Sequence, residues 1–300
     1  MKLQRGRAKR AVLALGVAAA AFGLAGVGAA APAGADTPIF YLALGASDSL
    51  GVQPSTITAS PQPTDHGYAN DLVADEAQHG VTLALTQYGC PGETTSTMIY
   101  GSDRCYLNGD TQLTEAVNFL RGHTADHGLV TIDIGFNDIH PCLRLGVSSA
   151  TCVARRLVTL QAQLTFILTA LKSAAGPYVT FVGLNHFNPL LAASVGGMRD
   201  AVSRAMCVRG MNRMNDTLSD VYSRFSMPVA LTTKAFLQGD STVVMVPGFG
   251  ALTAGVAMVC ELTYMCLPAP LGPNIHPNDA GYQAIADSIV QALPPGWNTA

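Results

Sequence analysis

The stretch Pro38–Gly51, PIFYLALGASDSLG, decides how the rest of the sequence is interpreted. Its first part, Ile39–Leu44, is a short apolar run rich in strand-forming residues, which is typical of a buried strand in a parallel sheet. Gly45 then permits a sharp turn, and Ser47 follows, where an α/β protein can present a nucleophile. A polar turn that merely closes a core strand has the same pattern. The Gly-x-Ser-x-Gly elbow does not fit, because Ser49 replaces its second glycine.

Strand-like and helix-like segments alternate along the rest of the chain. The further predicted strands are Val81–Thr86, Leu129–Ile134, Tyr178–Leu184 and Met227–Leu231. The predicted helices are Tyr68–Gln78, Leu113–Leu120, Val153–Leu171, Cys207–Val221 and Tyr282–Leu293. This alternation predicts an α/β fold with a central parallel sheet of about five strands that is covered by helices on both faces. We find no interior linker, so residues 36–300 are expected to form one domain.

The first 35 residues have the pattern of a secretory signal peptide. Five basic residues and no acidic residue lie in Met1–Arg10, and the uncharged run Ala11–Ala31 follows. The small residues Ala33, Gly34 and Ala35 then provide a cleavage site. We therefore expect residues 1–35 to be removed after Ala35 and the protein to be secreted. An uncleaved membrane anchor is the competing interpretation, because the apolar run approaches the length of a span.

The charge of the predicted mature chain limits its partners. The sequence has 17 basic and 20 acidic residues, and five of the basic residues lie in the leader, so 12 remain against 20 and the net charge is −8. An acidic chain without a basic cluster has no electrostatic reason to bind nucleic acid or anionic lipid headgroups.

All seven cysteines follow the leader, so an exported chain should oxidise some of them. Pairing cannot be deduced from sequence, but proximity along the chain suggests Cys90–Cys105, Cys142–Cys152 and Cys260–Cys266. Zinc binding is the competing interpretation, and the absence of a Cys-x-x-Cys pair disfavours it. Cys207 falls on the apolar face of a predicted helix, which favours a small buried side chain over a reactive thiol.

Four residues suited to one reaction converge on one edge of the predicted sheet, because ligands bind beyond the carboxyl ends of parallel strands. Ser47 follows the first strand, Gly92 follows the second within GCPGET, Asn137 follows the third within GFND, and His276 precedes the last helix within NIHPNDAGY. Acyl transfer needs a nucleophile, a base and donors for an oxyanion. The hydroxyl of Ser47, the imidazole of His276, the backbone N–H groups of Ser47 and Gly92, and the amide of Asn137 meet those needs.

These four blocks resemble those of the SGNH/GDSL family of serine esterases and lipases. GASDSLG is similar to the nucleophile block, GCPGET to the glycine block, GFND to the Gly-x-Asn-Asp block and NIHPNDAGY to the histidine block, in family order across residues 41–282. The resemblance implies a flavodoxin-like three-layer α/β/α sandwich. It also implies ester hydrolysis through an acyl-enzyme at Ser47, without a metal or another cofactor. Ser49 and Asp138 would then be accessory residues that shape their turns.

One position departs from the family pattern. The family usually has an aspartate three residues before the histidine, where this chain has Pro273. The resemblance allows a main-chain carbonyl to orient the imidazole instead, so we predict a dyad of Ser47 and His276. The Pro273 carbonyl is then the candidate orienting group, with Asn274 as a second acceptor.

The predicted function is that of a secreted, monomeric hydrolase of small-molecule or lipid esters, with no nucleic-acid partner and no stable membrane insertion after signal cleavage. The segment Thr242–Leu267 has one charged residue and is interpreted as an insertion near the histidine loop, which provides either extra core or an apolar wall for an acyl chain. Two alternatives remain open: a polysaccharide acetyl-esterase or acyltransferase, and a catalytically impaired protein that binds acyl chains or cell-wall polymer.

Overall fold

A computed structural model describes residues 38–298 apart from 59, 103, 108, 144–149 and 196–200, so the predicted signal peptide lies outside the described residues. The described chain contains a parallel sheet of five strands in the order β2-β1-β3-β4-β5. The strands are β1 Ile39–Gly45, β2 Leu83–Gln87, β3 Gly128–Asp133, β4 Val179–Leu184 and β5 Val229–Ala230. Each predicted strand is present with its ends within two residues of the prediction, and the predicted α/β class is confirmed.

Helices cover both faces of this sheet. The α-helices are α1 Tyr68–Gln78, α2 Thr95–Tyr100, α3 Gln112–Gly122, α4 Phe136–Ile139, α5 Ala150–Ala174, α6 Ala201–Arg224, α7 Thr232–Ala235, α8 Ala254–Leu262 and α9 Asp279–Ala292. All five predicted helices are present. By length and composition α5 is apolar enough to cross a membrane, but Leu160, Leu164 and Ile167 on this helix are fully buried in the protein core.

The central strand β1 separates two hydrophobic cores. Because side chains of a strand alternate between its faces, Phe40, Leu42 and Leu44 pack with α3, α5 and α6 on one side. Tyr41 and Ala43 pack with α1, α8 and α9 on the other side. This arrangement is the expected three-layer sandwich, and burial on both faces explains the continuous apolar run that predicted β1.

The segment Thr242–Leu267 forms an antiparallel hairpin of β6 Val243–Val246 and β7 Gly250–Thr253, followed by α8. The hairpin exposes apolar side chains, whereas α8 buries Val259 and Leu262 in the core. Beyond α8, the N–H of Tyr264 donates to the His276 carbonyl at 3.2 Å, and the N–H of Asn274 donates to the Tyr264 carbonyl at 3.1 Å. The segment therefore packs against the histidine loop, as expected, and helps to fix its path.

Three disulfides join the cysteine pairs that the sequence suggested. They are Cys90–Cys105, Cys142–Cys152 and Cys260–Cys266. The seventh cysteine, Cys207, is buried in α6, and its thiol donates to the carbonyl of Leu143 at 3.6 Å.

Candidate active site

The turn after β1 positions Ser47 and depends on a glycine. Gly45 has φ +130°, and a Cβ at this residue would lie 1.9 Å from the carbonyl oxygen of Asp133 in the neighbouring strand β3. Any other residue would therefore clash with that strand. The N–H of Ala46 donates to the same carbonyl at 2.9 Å, so the chain is held against β3 immediately before Ser47.

The two serines of this turn have different environments. Ser49 is fully buried, and its hydroxyl donates to the carbonyl of Ala46 at 2.7 Å. Ser47 is half-buried and lines a small cavity at the carboxyl edge of the sheet. Of the two serines, only Ser47 lines this cavity, whereas the hydroxyl of Ser49 is already hydrogen-bonded inside the turn.

This cavity brings together residues that are far apart in sequence. Ser47 follows β1, Asn137 lies in α4 just after β3, and Ile275 immediately precedes His276. The cavity lining therefore includes two of the predicted site residues and the neighbour of a third. Gly92 does not line the cavity, but its loop is connected to Asn137 through Glu93.

The Asn137 amide is tied to the loop that contains Gly92. Its Nδ2 donates to the carbonyl of Glu93 at 3.0 Å, which uses one of its two N–H bonds. Gly92 has φ +82°, a conformation that favours glycine. The two predicted oxyanion donors outside the nucleophile turn therefore belong to connected loops.

Gln112, for which no sequence pattern predicted a role, holds these loops to β1. Its Oε1 accepts from the N–H of Gly45 at 2.7 Å, and its Nε2 donates to the Gly45 carbonyl at 2.9 Å. The same Nε2 donates to the carboxylate of Glu93 at 3.0 Å. Burial raises the pKa of Glu93, and hydrogen bonds from Thr97 and Gln112 oppose that shift. Gln112 is fully buried at the start of α3, and no sequence pattern marks it, because its partners lie in another loop and in β1.

Asn274, two residues before His276, is hydrogen-bonded to its imidazole. The Oδ1 of Asn274 lies 2.7 Å from Nδ1 of His276 and also accepts the His276 backbone N–H at 3.0 Å. Because an amide oxygen only accepts, Nδ1 carries the hydrogen and Nε2 keeps its lone pair. Among the described residues, the Pro273 carbonyl makes no hydrogen bond to His276, whereas Oδ1 of Asn274 makes two.

Burial lowers the pKa of His276, with the charge of Asp48 opposing this shift and the charge of His186 reinforcing it. A buried imidazole with a lowered pKa is neutral near pH 7. It can then accept a proton at Nε2.

A second polar group lies in the same cavity and was not predicted as a unit. Asp48, Asp133 and His186 are all buried, and one ligand atom from each lies within 4.8 Å of the others. Nε2 of His186 is 3.4 Å from Oδ2 of Asp48. Burial lowers the pKa of His186, but the Asp48 and Asp133 carboxylates outweigh it and the net shift is upward. Burial, and then the charge of Asp48, raise the pKa of Asp133.

Asp138, predicted as accessory, is buried beneath the site. Its carboxylate accepts from the N–H of Thr95 at 3.1 Å and from the Thr95 hydroxyl at 2.6 Å. These bonds connect α4 to α2 and direct the Asp138 carboxylate toward α2.

Ser47, which follows the first strand, and Ile275 of the loop before the last helix meet at one edge of this three-layer α/β/α sandwich. The chain belongs to the GDSL-like Lipase/Acylhydrolase family, whose model matches residues 43–284. The resemblance that the four sequence blocks carry is thereby confirmed.

Several solved structures share this fold. They include an extracellular lipase from Streptomyces rimosus, with a TM-score of 0.57 and 20% identity over 85% of this chain and 100% of that chain. A phospholipase A1 from Streptomyces albidoflavus NA297 has a TM-score of 0.55 and 17% identity over 86% of this chain and 100% of that chain. The lipase Lip_vut3 from a goat rumen metagenome has a TM-score of 0.54 and 15% identity over 85% of this chain and 97% of that chain. A search of curated proteins finds no match.

Proposed function

We propose that the protein is a secreted serine hydrolase that cleaves carboxylic esters through an acyl-enzyme at Ser47. The observation that supports this proposal most is the difference between the two serines. Ser47 opens onto the cavity shared with Asn137 and Ile275, whereas the Ser49 hydroxyl is buried and already bonded. In this proposal His276 is the general base, and the oxyanion donors are the N–H groups of Ser47 and Gly92 and the Asn137 amide.

In the first half of the reaction, Nε2 of His276 removes the hydroxyl proton of Ser47 while Oγ attacks the ester carbonyl carbon. The carbonyl π electrons move to oxygen, and the donors stabilise the oxyanion. When the intermediate collapses, the bond to the alcohol oxygen breaks and His276 returns the proton to the leaving alkoxide. The products are the free alcohol and an ester of Ser47.

In the second half, water repeats the attack. His276 removes one proton from water as the oxygen adds to the acyl carbon of the Ser47 ester. Collapse breaks the bond to Oγ, His276 returns the proton to Ser47, and the carboxylic acid leaves. Each half transfers one proton out and one proton back, so the enzyme is regenerated unchanged.

Asn274 acts as a positioning residue in this proposal. Its amide oxygen holds Nδ1–H, which directs the lone pair of Nε2 outward for catalysis. An amide carries no charge, so it stabilises the imidazolium less than a carboxylate would. The pKa of His276 is lowered, and burial is the largest cause of that shift.

Lipid and other acyl esters are the substrate class that we propose. In the hairpin β6–β7, Val243 and Met245 are 67% and 77% exposed, so apolar side chains lie on the protein surface. Two of the similar solved structures are lipases and one is a phospholipase A1.

For localisation, the three disulfides and the leader pattern support export. Mass spectrometry of the exported protein should therefore find Asp36 as its first residue.

Initial rates on p-nitrophenyl esters from acetate to palmitate test this function. We expect hydrolysis by the mature protein and no hydrolysis by Ser47→Ala, with Ser49→Ala as the matched control that retains activity. No hydrolysis of any ester by the folded protein would contradict the proposal and favour a protein that binds acyl chains or wall polymer. Faster product release with added alcohol, with an alkyl ester formed, would instead indicate acyl transfer.

A further inference from the structure

The three buried polar side chains beside Ser47 have the geometry of ligands around one ion. Asp48 follows β1, Asp133 ends β3 and His186 follows β4, so three adjacent strands deliver them to one point. Their ligand atoms lie within 4.8 Å of one another. Two ligands each about 2.1 Å from a tetrahedral ion are about 3.4 Å apart, and the distance from Nε2 of His186 to Oδ2 of Asp48 is 3.4 Å. That distance is too long for a strong hydrogen bond.

The ring orientation of His186 prepares Nε2 as a ligand. Nδ1 lies 2.6 Å from the carbonyl oxygen of Phe187, which only accepts, so Nδ1 carries the hydrogen. In the neutral form of the ring, which metal binding requires, the lone pair lies on Nε2 on the side of the carboxylates. Stacking of the ring on Phe136 and Phe187, with centroids at 4.6 and 4.8 Å, holds this orientation. A backbone carbonyl on the other nitrogen is the usual support of a metal-binding histidine.

The Asp133 carboxylate supplies an independent indication of a ligand. It is only 5% exposed and lines the cavity, yet no donor among the described residues is hydrogen-bonded to it. Buried carboxylates are normally paired with donors, cations or metals. Asp48 adds a second buried carboxylate at the same point, so two carboxylates and one imidazole converge where a cation can take the place of their protons.

We propose that Asp48, Asp133 and His186 form a binding site for one divalent transition-metal ion, of the class of Mn²⁺ or Zn²⁺. Two carboxylate oxygens and one imidazole nitrogen suit these ions better than Mg²⁺ or Ca²⁺, which prefer oxygen ligands alone. Three protein ligands leave a position that faces the Ser47 cavity. Ester hydrolysis by Ser47 and His276 needs no metal, so this site is additional to the proposed catalytic groups.

Titration with Mn²⁺, monitored by electron paramagnetic resonance, tests the site directly, because bound Mn²⁺ loses the sharp signal of the free ion. The chelator-treated full mature chain should bind one Mn²⁺, and Zn²⁺ should displace it. Asp133→Asn and His186→Gln should each weaken the affinity at least tenfold. The matched control is Asp65→Asn, because Asp65 and His66 form a similar pair at 3.5 Å on the surface with 88% and 62% of their side chains exposed. This control should bind Mn²⁺ like the unmodified protein.

Circular dichroism and thermal unfolding establish that each variant is folded, and Asp48→Asn replaces any variant that is not. Thermal unfolding also gives a second measurement, because an ion that binds only the folded chain raises Tm. The inference is overturned if folded protein binds neither Mn²⁺ nor Zn²⁺ at millimolar concentration. Binding that is equally tight in Asp133→Asn and His186→Gln also overturns it. Neither outcome depends on esterase activity, so this test is separate from that of the proposed function.

Discussion

Two histidines are associated with the Ser47 cavity, and their surroundings give them opposite properties. His276 is held by the neutral amide of Asn274, and burial lowers its pKa. His186 lies beside the carboxylates of Asp48 and Asp133, which raise its pKa despite its burial. Burial lowers the pKa of both imidazoles, and only at His186 do the neighbouring carboxylates outweigh that shift.

The largest predicted effect separates the two histidines. We expect His276→Gln to lower kcat/KM about 10⁴-fold, because the general base is lost. His186→Gln should lower it roughly tenfold, because only the wall of the cavity changes. Initial rates on a short-chain p-nitrophenyl ester measure both values. Equal losses in the two variants would mean that His186 also takes part in proton transfer.

The next effect concerns the oxyanion. Asn137→Ala should lower kcat about 10² to 10³-fold with little change in KM, since a donor that acts mainly in the transition state is lost. The control is Asn212→Ala, an exposed asparagine in α6 that should retain full activity. A rise in KM with unchanged kcat would instead assign Asn137 to substrate binding.

A third variant pair tests whether Asn274 controls the activity and the pKa of His276. Asn274→Ala should lower kcat about 10 to 100-fold, because Nδ1–H loses its acceptor. Asn274→Asp should restore most of that activity. A carboxylate stabilises the imidazolium and raises the pKa of His276, so less neutral base remains at low pH and the acid limb of the profile moves to higher pH.

The pH dependence of kcat/KM measures this shift. In the unmodified protein, burial lowers the pKa of His276, so the acid limb should lie below the pH of about 6.5 at which histidine ordinarily titrates. Identical pH profiles for Asn274→Asp and the unmodified protein would show that Asn274 does not control His276.

The smallest effect on activity concerns the loop that supports His276. Replacing Cys260 and Cys266 with serine should lower the free energy of unfolding by about 2 kcal/mol, because the closed loop is short. Since Tyr264 within this loop bonds both Asn274 and His276, kcat should also fall a few-fold. Denaturant unfolding and initial rates provide the two measurements. Cys207→Ala, which removes no disulfide, is the control and should leave kcat unchanged. Full activity in the double variant would contradict the prediction that this disulfide supports the position of His276.

Much of the fold could be predicted because its signals are local. The run Ile39–Leu44 predicted β1 because a strand buried on both faces needs apolar residues throughout. Spacing of three and four predicted α5 and α6 because each buries one continuous stripe. The prediction that Ser47 and Asn137 share one edge followed from the rule that parallel strands end together.

The remaining features depend on which strands become neighbours. Asp48, Asp133 and His186 meet because β1, β3 and β4 are adjacent, and no local pattern specifies that order. Gln112 could not be identified because its partners lie in another loop and in β1. The choice of Asn274 over the Pro273 carbonyl depends on the path of one loop, since both acceptors lie within three residues of His276.

Covalent labelling with a fluorophosphonate, followed by peptide mass spectrometry, tests most directly whether Ser47 is the nucleophile. We expect one label per chain, located on Ser47, in the unmodified protein and in Ser49→Ala, and no label in Ser47→Ala. A folded protein that does not react, or a label on another residue that persists in Ser47→Ala, would contradict it.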